Sequence, residues 1–151
     1  MIGQICAIFD YCYGKWKYVN DPNGREYLAM ASETIEGNLV GDCDDFAVLI
    51  ASCILAIGGN ACVNTGQNSQ GGHAFTEVDI SKFSKGEVLK KIQECFSLYN
   101  VTNIHTRSAN GKVWLNLDWQ AAYPGGPYYD CCNGRNAYPC INGVWTWQKL
   151  K

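Results

Sequence analysis

The sequence lacks both a cluster of basic residues and a long apolar run. Its formal net charge is −2 and its isoelectric point is about 5.6. This balance argues against a nucleic-acid-binding surface. The longest apolar stretch, 46–57, is too short to cross a bilayer, so we expect no membrane span.

Other missing features limit how the chain can be divided into segments and domains. Residues 1–10 lack a basic segment and a usable cleavage site, so no signal peptide is expected, and the compartment stays open. There are no internal repeats and no linker-like stretch. The 151 residues, 47% of them hydrophobic, therefore predict a single domain over 1–151 that has a Cys-rich C-terminal segment at 128–151. This chain is either complete or one domain of a larger protein, and the oligomeric state is open.

The sequence also lacks a Cys-x-x-Cys pair, and it has only two histidines, which excludes a zinc finger. Nine cysteines are nevertheless present. If one is a free nucleophile, eight remain for up to four disulfides; the alternative is that they are reduced. In the reduced case Cys53, Cys62 and Cys95 are expected to be small core residues. The better disulfide candidates lie in a Gly/Asn/Tyr/Pro-rich segment and are Cys131, Cys132 and Cys140.

The most informative stretch is a helix predicted from Asp42 to Gly58-Gly59. Asp42 can cap its N-terminus, and the glycines can end it. Almost every residue between 46 and 57 is apolar, which is typical of a helix buried in the middle of a domain. Cys43 then lies in the first turn, where free backbone N–H groups and the helix dipole favour an anion. This is the setting of a thiol nucleophile.

Three acidic residues, Asp42, Asp44 and Asp45, surround this cysteine. They could suggest a calcium site, but they are consecutive and not spaced as in an EF-hand loop. Acidic residues in the first turn of a helix are stabilising in any case. We therefore interpret them as capping and anchoring residues and expect neither a metal site nor a cofactor.

The rest of the chain predicts helices followed mainly by strands, which is the order of an α+β domain. Helices are expected at 2–13 and 85–99, with short helical turns within 27–36. Strands are expected at 60–65, 73–80, 112–119, 138–141 and 144–149. Asn142-Gly143 gives the strongest hairpin signal. Residues 66–72, rich in Gly, Gln, Asn and Ser, predict a mobile loop.

Two strands supply partners for the thiol. His73 begins a predicted strand, so its imidazole can meet the start of the central helix and hold the thiol proton. Along 113–119 the alternation of a strand places Trp114, Asn116 and Asp118 on one face and apolar residues on the other. The Asp118 carboxylate could then bond the second ring nitrogen of His73, although Asn116 could orient the ring instead.

Three motifs in this order resemble the transglutaminase-like superfamily: Gly41-Asp42-Cys43-Asp44-Asp45-Phe46-Ala47, then Gly72-His73-Ala74-Phe75-x-Glu77-Val78, then Trp114-x-Asn116-x-Asp118. The upstream residues Trp16-x-Tyr18-x-x-Asp21-Pro22 and Ser32-Glu33-Thr34 are also similar, so the likeness covers roughly 13–120. It implies a papain-like fold in which a central helix packs on an antiparallel sheet. It also implies a catalytic triad of Cys43, His73 and Asp118. Three departures are the long insertion holding the 85–99 helix, the position of Asn116 two residues before the acid, and the Cys-rich C-terminal segment.

Together these observations predict a thiol-dependent enzyme that acts on a protein or peptide substrate through a thioester. Asp42, Asn116, Trp114 and Trp16 are expected to support the site or line its cleft. Hydrolysis of a peptide or amide is favoured, because transfer to an amine requires a site that excludes water and the sequence shows none. The alternatives are a protein-glutamine transglutaminase, a catalytically silent peptide-binding domain, and a disulfide-stabilised module with Cys43 in a bridge.

Overall fold

The computed structural model describes residues 1–22, 25–130 and 135–150. Its helices are α1 (Ile2–Lys15), α2 (Ala31–Glu36), α3 (Cys43–Ala56) and α4 (Lys85–Cys95), with a 3₁₀ turn at Trp119–Ala121. Its strands are β1 (Lys17–Tyr18), β2 (Val40–Gly41), β3 (Ala61–Asn68), β4 (Gly71–Asp79), β5 (Thr106–Ala109), β6 (Lys112–Asn116), β7 (Arg135–Ile141), β8 (Val144–Trp145) and β9 (Gln148–Leu150). None of the helices in these ranges is both long and apolar enough to cross a bilayer.

The main sheet is antiparallel and contains the strands from β3 to β9. Its order is β5-β6-β4-β3-β7, and both β8 and β9 pair with β7. Two tight hairpins have the positive φ angles that asparagine and glycine adopt readily, at Asn110-Gly111 and Asn142-Gly143. A separate pair, β1 and β2, is parallel and joins Tyr18 to Gly41.

The central helix α3 packs on strands β3 and β4. Phe46, Leu49, Ile50 and Ile54 are at most 1% exposed. The hydroxyl of Thr76 in β4 also donates to the carbonyl of Ala47 at 2.6 Å. The all-round apolar pattern therefore reflects a helix buried between the sheet and other helices, as the sequence predicts.

The other helices cover the outer side of α3. On α1 the Phe9 ring meets Phe46 of α3 edge-on, with centroids 6.0 Å apart, and Phe96 at the end of α4 at 6.4 Å. Leu115 and Leu117, next to each other on one face of the β6 segment, complete this core. The α+β class and the central Cys43-bearing helix on an antiparallel sheet are confirmed.

Several local expectations are wrong. Residues 66–72 are not a mobile loop, because β3 and β4 pair through Asn68 and Gly71 and leave a two-residue turn. His73 is therefore the third residue of its strand and not the first. The 85–99 helix ends at Cys95, and the strand predicted to reach residue 119 ends at Asn116.

The cysteines of the described ranges are free thiols. Cys62 is fully buried, as expected of a small core residue, and Cys53 is half-buried. Cys95 is exposed, so the expectation that it belongs to the core is wrong. Cys140 is free and buried, whereas the candidates Cys131 and Cys132 lie outside the described residues.

Candidate active site

The site begins at the N-terminus of α3, which is fixed by a reciprocal cap. The carboxylate of Asp42 accepts from the backbone N–H of Asp44 at 3.2 Å, and that of Asp45 accepts from the N–H of Asp42 at 3.2 Å. Asp45 also accepts from the N–H of Ala29 at 2.9 Å, which ties a distant loop to the helix start. The half-buried Cys43 is thereby held as the first residue of the helix.

The β1–β2 pair brings an aromatic residue to the same place. The N–H of Val19 donates to the carbonyl of Gly41 at 2.9 Å, so Tyr18 lies beside the start of α3. The Tyr18 pKa is raised, first by burial and then by the nearby Cys43, Asp42 and Asp44. Its ring packs against Trp119 with centroids 4.9 Å apart. Tyr18 and Trp119 therefore form one wall next to the thiol.

His73 lies between Cys43 and Asp118. Its Nε2 is 2.7 Å from the Asp118 carboxylate, and the two side chains are 3% and 1% exposed. The ring also makes a hydrogen bond with Cys43. Because Nε2 is taken by Asp118, Nδ1 is the nitrogen available to the thiol. The structure thus brings together the three residues that the sequence singles out.

The electrostatics of this cluster favour a charged imidazole. Burial acts against the cation, but the hydrogen bonds to Asp118 and Cys43 and their negative charge outweigh it and raise the pKa of His73 to about 9. At neutral pH the imidazole is therefore protonated on both nitrogens and carries a positive charge. Such a cation stabilises a thiolate on its other side.

The hydrogen bonds of Asn116 go to backbone groups and not to the His73 ring. It is fully buried and donates from Nδ2 to the carbonyls of Gly126 and Pro127, both at 3.0 Å. Its Oδ1 accepts from the N–H of Asp118 at 3.2 Å. Asn116 therefore holds the loop after the 3₁₀ turn and the backbone of Asp118.

That loop supplies a residue that the sequence reasoning missed. The Tyr129 ring lies 4.4 Å from the His73 ring, centroid to centroid, and its hydroxyl donates to the carbonyl of Gly71 at 3.2 Å. Tyr129 forms a second wall, on the histidine side. No local pattern marks it, because it stands 56 residues beyond His73 in a segment of turns.

Two tryptophans expected in the cleft lie elsewhere. Trp114 is 2% exposed and belongs to a smaller apolar cluster with Cys62 and Ala137, so it is a core residue and not a cleft wall. Trp16 packs edge-on against Phe46 at 5.0 Å and lines a groove between α1 and α3. The expectation for Trp114 failed because period-two alternation gives the face of a strand but not what covers that face.

Two of the three acidic residues at the helix start, Asp42 and Asp45, act as capping groups, as interpreted from the sequence, whereas Oδ1 of Asp44 is buried without a hydrogen-bond partner among the residues that the structure describes. Asp42, Asp44 and Asp45 can each place an oxygen within 4.8 Å of the others, a separation suited to a cation. Oxygens of Asp42 and Asp45, however, already accept backbone hydrogens. The pKa of Asp44 is raised to about 7, first by burial and then by its acidic neighbours. The absence of a metal requirement stays a prediction.

Comparison with known proteins gives a distant likeness of fold. Neither a family model nor a curated protein matches this sequence. Two solved structures do. One is LapG of Legionella pneumophila in a calcium-bound form, 16% identical with a TM-score of 0.46, over 77% of this chain and 52% of that one. The other is a protein of Cytophaga hutchinsonii provisionally described as a cysteine protease, 15% identical with a TM-score of 0.47, over 100% of this chain and 46% of that one. The chain thus spans about half the length of each.

Proposed function

We propose that this chain is a cysteine peptidase or amidase that acts through a thioester on Cys43. The observation that carries the proposal is the position of His73, buried between the Cys43 thiol and the Asp118 carboxylate. A nucleophile, a base and a group that orients the base are the parts that covalent acyl transfer needs.

In the first step the Cys43 thiolate, whose proton is already held on His73 Nδ1, attacks the carbonyl carbon of the substrate. Asp118 keeps its hydrogen bond to Nε2 and stabilises the imidazolium. The negative charge on the carbonyl oxygen is placed at the N-terminus of α3, where the backbone N–H of Cys43 has no acceptor within the helix. The tetrahedral adduct then collapses, His73 gives its proton to the leaving amine, and a thioester remains.

In the second step water completes the reaction. The neutral His73 ring removes a proton from water, the hydroxide attacks the thioester carbonyl, and the Cys43 sulfur leaves with the proton returned by the ring. Cys43 is half-buried and not enclosed, which supports water over an amine as the acceptor. Transamidation would use the same first step, so the acceptor is decided by experiment.

The surface around the helix start supports an apolar substrate segment. Several exposed apolar side chains stand on short segments that reach the start of α3: Val19 follows Tyr18, Leu28 precedes the anchored Ala29, and Val40 precedes Gly41. Exposed apolar side chains grouped in this way are typical of a binding surface. We therefore expect extended, apolar peptides to be preferred.

Alkylation of Cys43 as a function of pH tests the proposal. Wild type and His73→Ala would be treated with iodoacetamide between pH 5 and 9, and labelling would be followed by peptide mass spectrometry. Fast labelling at pH 6 that slows at least tenfold in the variant is expected of a thiolate–imidazolium pair. Slow labelling that begins only above pH 8 and is unchanged by the substitution would contradict the enzyme and favour a silent binding domain.

The acceptor and the substrate are then tested together. Wild type and Cys43→Ala would be incubated with an apolar peptide library in ¹⁸O-labelled water containing a fluorescent primary amine. Cleaved products with labelled carboxylates, absent from the variant, are expected of a hydrolase. Incorporation of the amine at glutamine side chains would instead assign transamidation.

A further inference from the structure

Two pairs of cysteines outside the site face each other across helix contacts. Cys6 and Cys12 lie one turn before and one turn after Phe9, on the buried face of α1. Cys12 and Cys53, which lies in α3, line the same groove between the two helices, and each thiol shifts the pKa of the other. The Phe9 ring contacts Phe96, and burial together with Cys95, the last residue of α4 and the neighbour of Phe96, raises the pKa of Cys6.

We propose that α1 is joined to the domain by two disulfides, Cys12–Cys53 and Cys6–Cys95, which leave Cys43 as the reactive free thiol. Thiols on helices that pack against each other, as α1 does on α3 and α4, can form an S–S bond where their Cα atoms lie within about 7 Å. This inference does not depend on the proposed function.

Each pair has one sulfur that an oxidant can reach. Cys53 and Cys12 line a groove of about 820 Å³ between α1 and α3, and Cys95 is exposed on the surface. The hydrogen bond from Cys12 lowers the pKa of Cys53 to about 7, which supplies a thiolate near neutral pH. The same bond, together with burial, raises the pKa of Cys12. Cys53 is thus suited to react first and Cys12 second.

The oxidation balances with a small organic disulfide such as oxidised glutathione. The Cys53 thiolate attacks one glutathione sulfur, the S–S bond of the reagent breaks, and one glutathione thiolate leaves and takes up a proton. Cys12 then loses its proton to solvent and attacks the Cys53 sulfur, releasing the second glutathione. Two protein thiols are oxidised and one glutathione disulfide is reduced to two thiols. Cys95 and Cys6 react in the same order.

Two described cysteines outside these pairs act as internal controls. Cys62 and Cys140 are both buried, on neighbouring strands. Cys140 pairs with Ala61, the residue before Cys62, so their side chains lie on opposite faces of the sheet. They are not placed to bond to each other.

The bridges would stabilise the support of the candidate site. Trp16, just after α1, packs on Phe46, three residues beyond Cys43 in the first turns of α3. A covalent link between α1 and α3 would keep Trp16 against Phe46 as the domain begins to unfold. Bridging should therefore raise the melting temperature by about 5–10 °C for each bond.

The test is peptide mapping without reduction. The full chain carrying Cys43→Ser would be purified reduced, equilibrated with oxidised glutathione, and alkylated before digestion. We expect two cross-linked peptide pairs, Cys12 with Cys53 and Cys6 with Cys95, each lacking two hydrogens, and alkylated Cys62 and Cys140. Free or glutathione-capped Cys12 and Cys53, or bridges from them to Cys131 or Cys132, would overturn the proposal.

A second measurement covers the case in which a variant folds poorly. Melting temperatures of wild type and Cys12→Ser/Cys53→Ser would be compared with and without dithiothreitol. Dithiothreitol should lower the melting temperature of the wild type, and the drop should be smaller by about half in the double variant. Equal drops in both proteins would overturn the Cys12–Cys53 bridge.

Discussion

Asn116 and Asp118 lie two residues apart, yet only the Asp118 carboxylate contacts the His73 ring. Asp118 Oδ2 is 2.7 Å from Nε2, whereas the Asn116 amide is used by the carbonyls of Gly126 and Pro127. Its oxygen accepts the N–H of Asp118. The sequence alone allows either residue to orient the His73 ring. The hydrogen bonds assign that contact to Asp118 and give Asn116 to the backbone.

This separation gives the first prediction. Asp118→Asn should lower kcat by about 10²–10⁴-fold with little change in the free energy of unfolding, because the ring loses its charged partner in the same volume. Steady-state kinetics on the cleaved peptide, together with urea unfolding, measure both quantities.

Asn116→Ala is the matched comparison for that variant. It should cost about 2–4 kcal/mol of unfolding free energy, because buried carbonyls and the N–H of Asp118 lose their partners. If Asn116→Ala kept its stability and lost as much kcat as Asp118→Asn, Asn116 would belong with the reacting groups.

The raised pKa of His73 predicts how stability depends on pH. The folded ring has a pKa of about 9 against an ordinary 6.5, so the folded state binds the proton more tightly. The stabilisation is fully present below pH 6.5 and is lost as the pH rises through about 9. The advantage of wild type over His73→Ala in urea unfolding should therefore shrink by about 3 kcal/mol between pH 6 and 10.

His105→Ala is the control, because the ring of the chain's other histidine bonds to the neutral carbonyl of Gly125. The labelling of Cys43 in this variant should match that of wild type. Alkylation of Cys43 should also lose its dependence on His73 above pH 9, where the ring is neutral. A constant advantage of wild type from pH 6 to 10 would refute the charged ring.

A third prediction concerns Gly41, two residues before the thiol. A Cβ at this position would overlap the Asp45 carboxylate that closes the cap of α3. Gly41→Ala should therefore displace that carboxylate, cost about 1–3 kcal/mol of unfolding free energy, and slow the labelling of Cys43.

Gly86→Ala, in α4, is the matched control, since a Cβ there would have no heavy atom within 4 Å. It should leave labelling unchanged and stabilise the protein slightly. If both alanine variants behaved alike, the close approach of Gly41 to Asp45 would not matter to the site.

Much of the architecture is predictable because its signals are local. The cap at Asp42, the apolar run and Gly58 with its positive φ define α3 almost to the residue. The Asn142-Gly143 hairpin is correct for the same reason, since its turn residues suit the positive φ angles found there.

The rest of the site depends on contacts between distant residues. Tyr129 meets His73 through a loop that is held by distant residues, among them Asn116 and Gly71. The strand extension over 66–72 depends on the pairing of β3 with β4, which overrides the loop-like composition of that segment. A single sequence contains neither piece of information.

A buried ionic network behind the site gives the last prediction. Glu77, fully buried in β4, accepts hydrogen bonds from Arg107 Nε at 3.0 Å, Asn64 Nδ2 at 3.0 Å and the Tyr128 hydroxyl at 2.7 Å. Tyr128 precedes Tyr129, so the network also fixes the wall next to His73. Burial of the Tyr128 hydroxyl and the nearby Glu77 charge raise the pKa of that hydroxyl.

Removing one partner should expose the cost of a buried charge. Arg107→Met is expected to lower the free energy of unfolding by about 3–5 kcal/mol and Tyr128→Phe by about 1–2 kcal/mol. Lys91→Met, which breaks the exposed pair with Glu94 at 2.6 Å, is the control and should have no measurable effect. Urea unfolding at pH 7 ranks the three variants. A loss in Arg107→Met no larger than in Lys91→Met would mean that the Glu77 charge is neutralised another way, because an unpaired buried carboxylate cannot be tolerated at so small a cost.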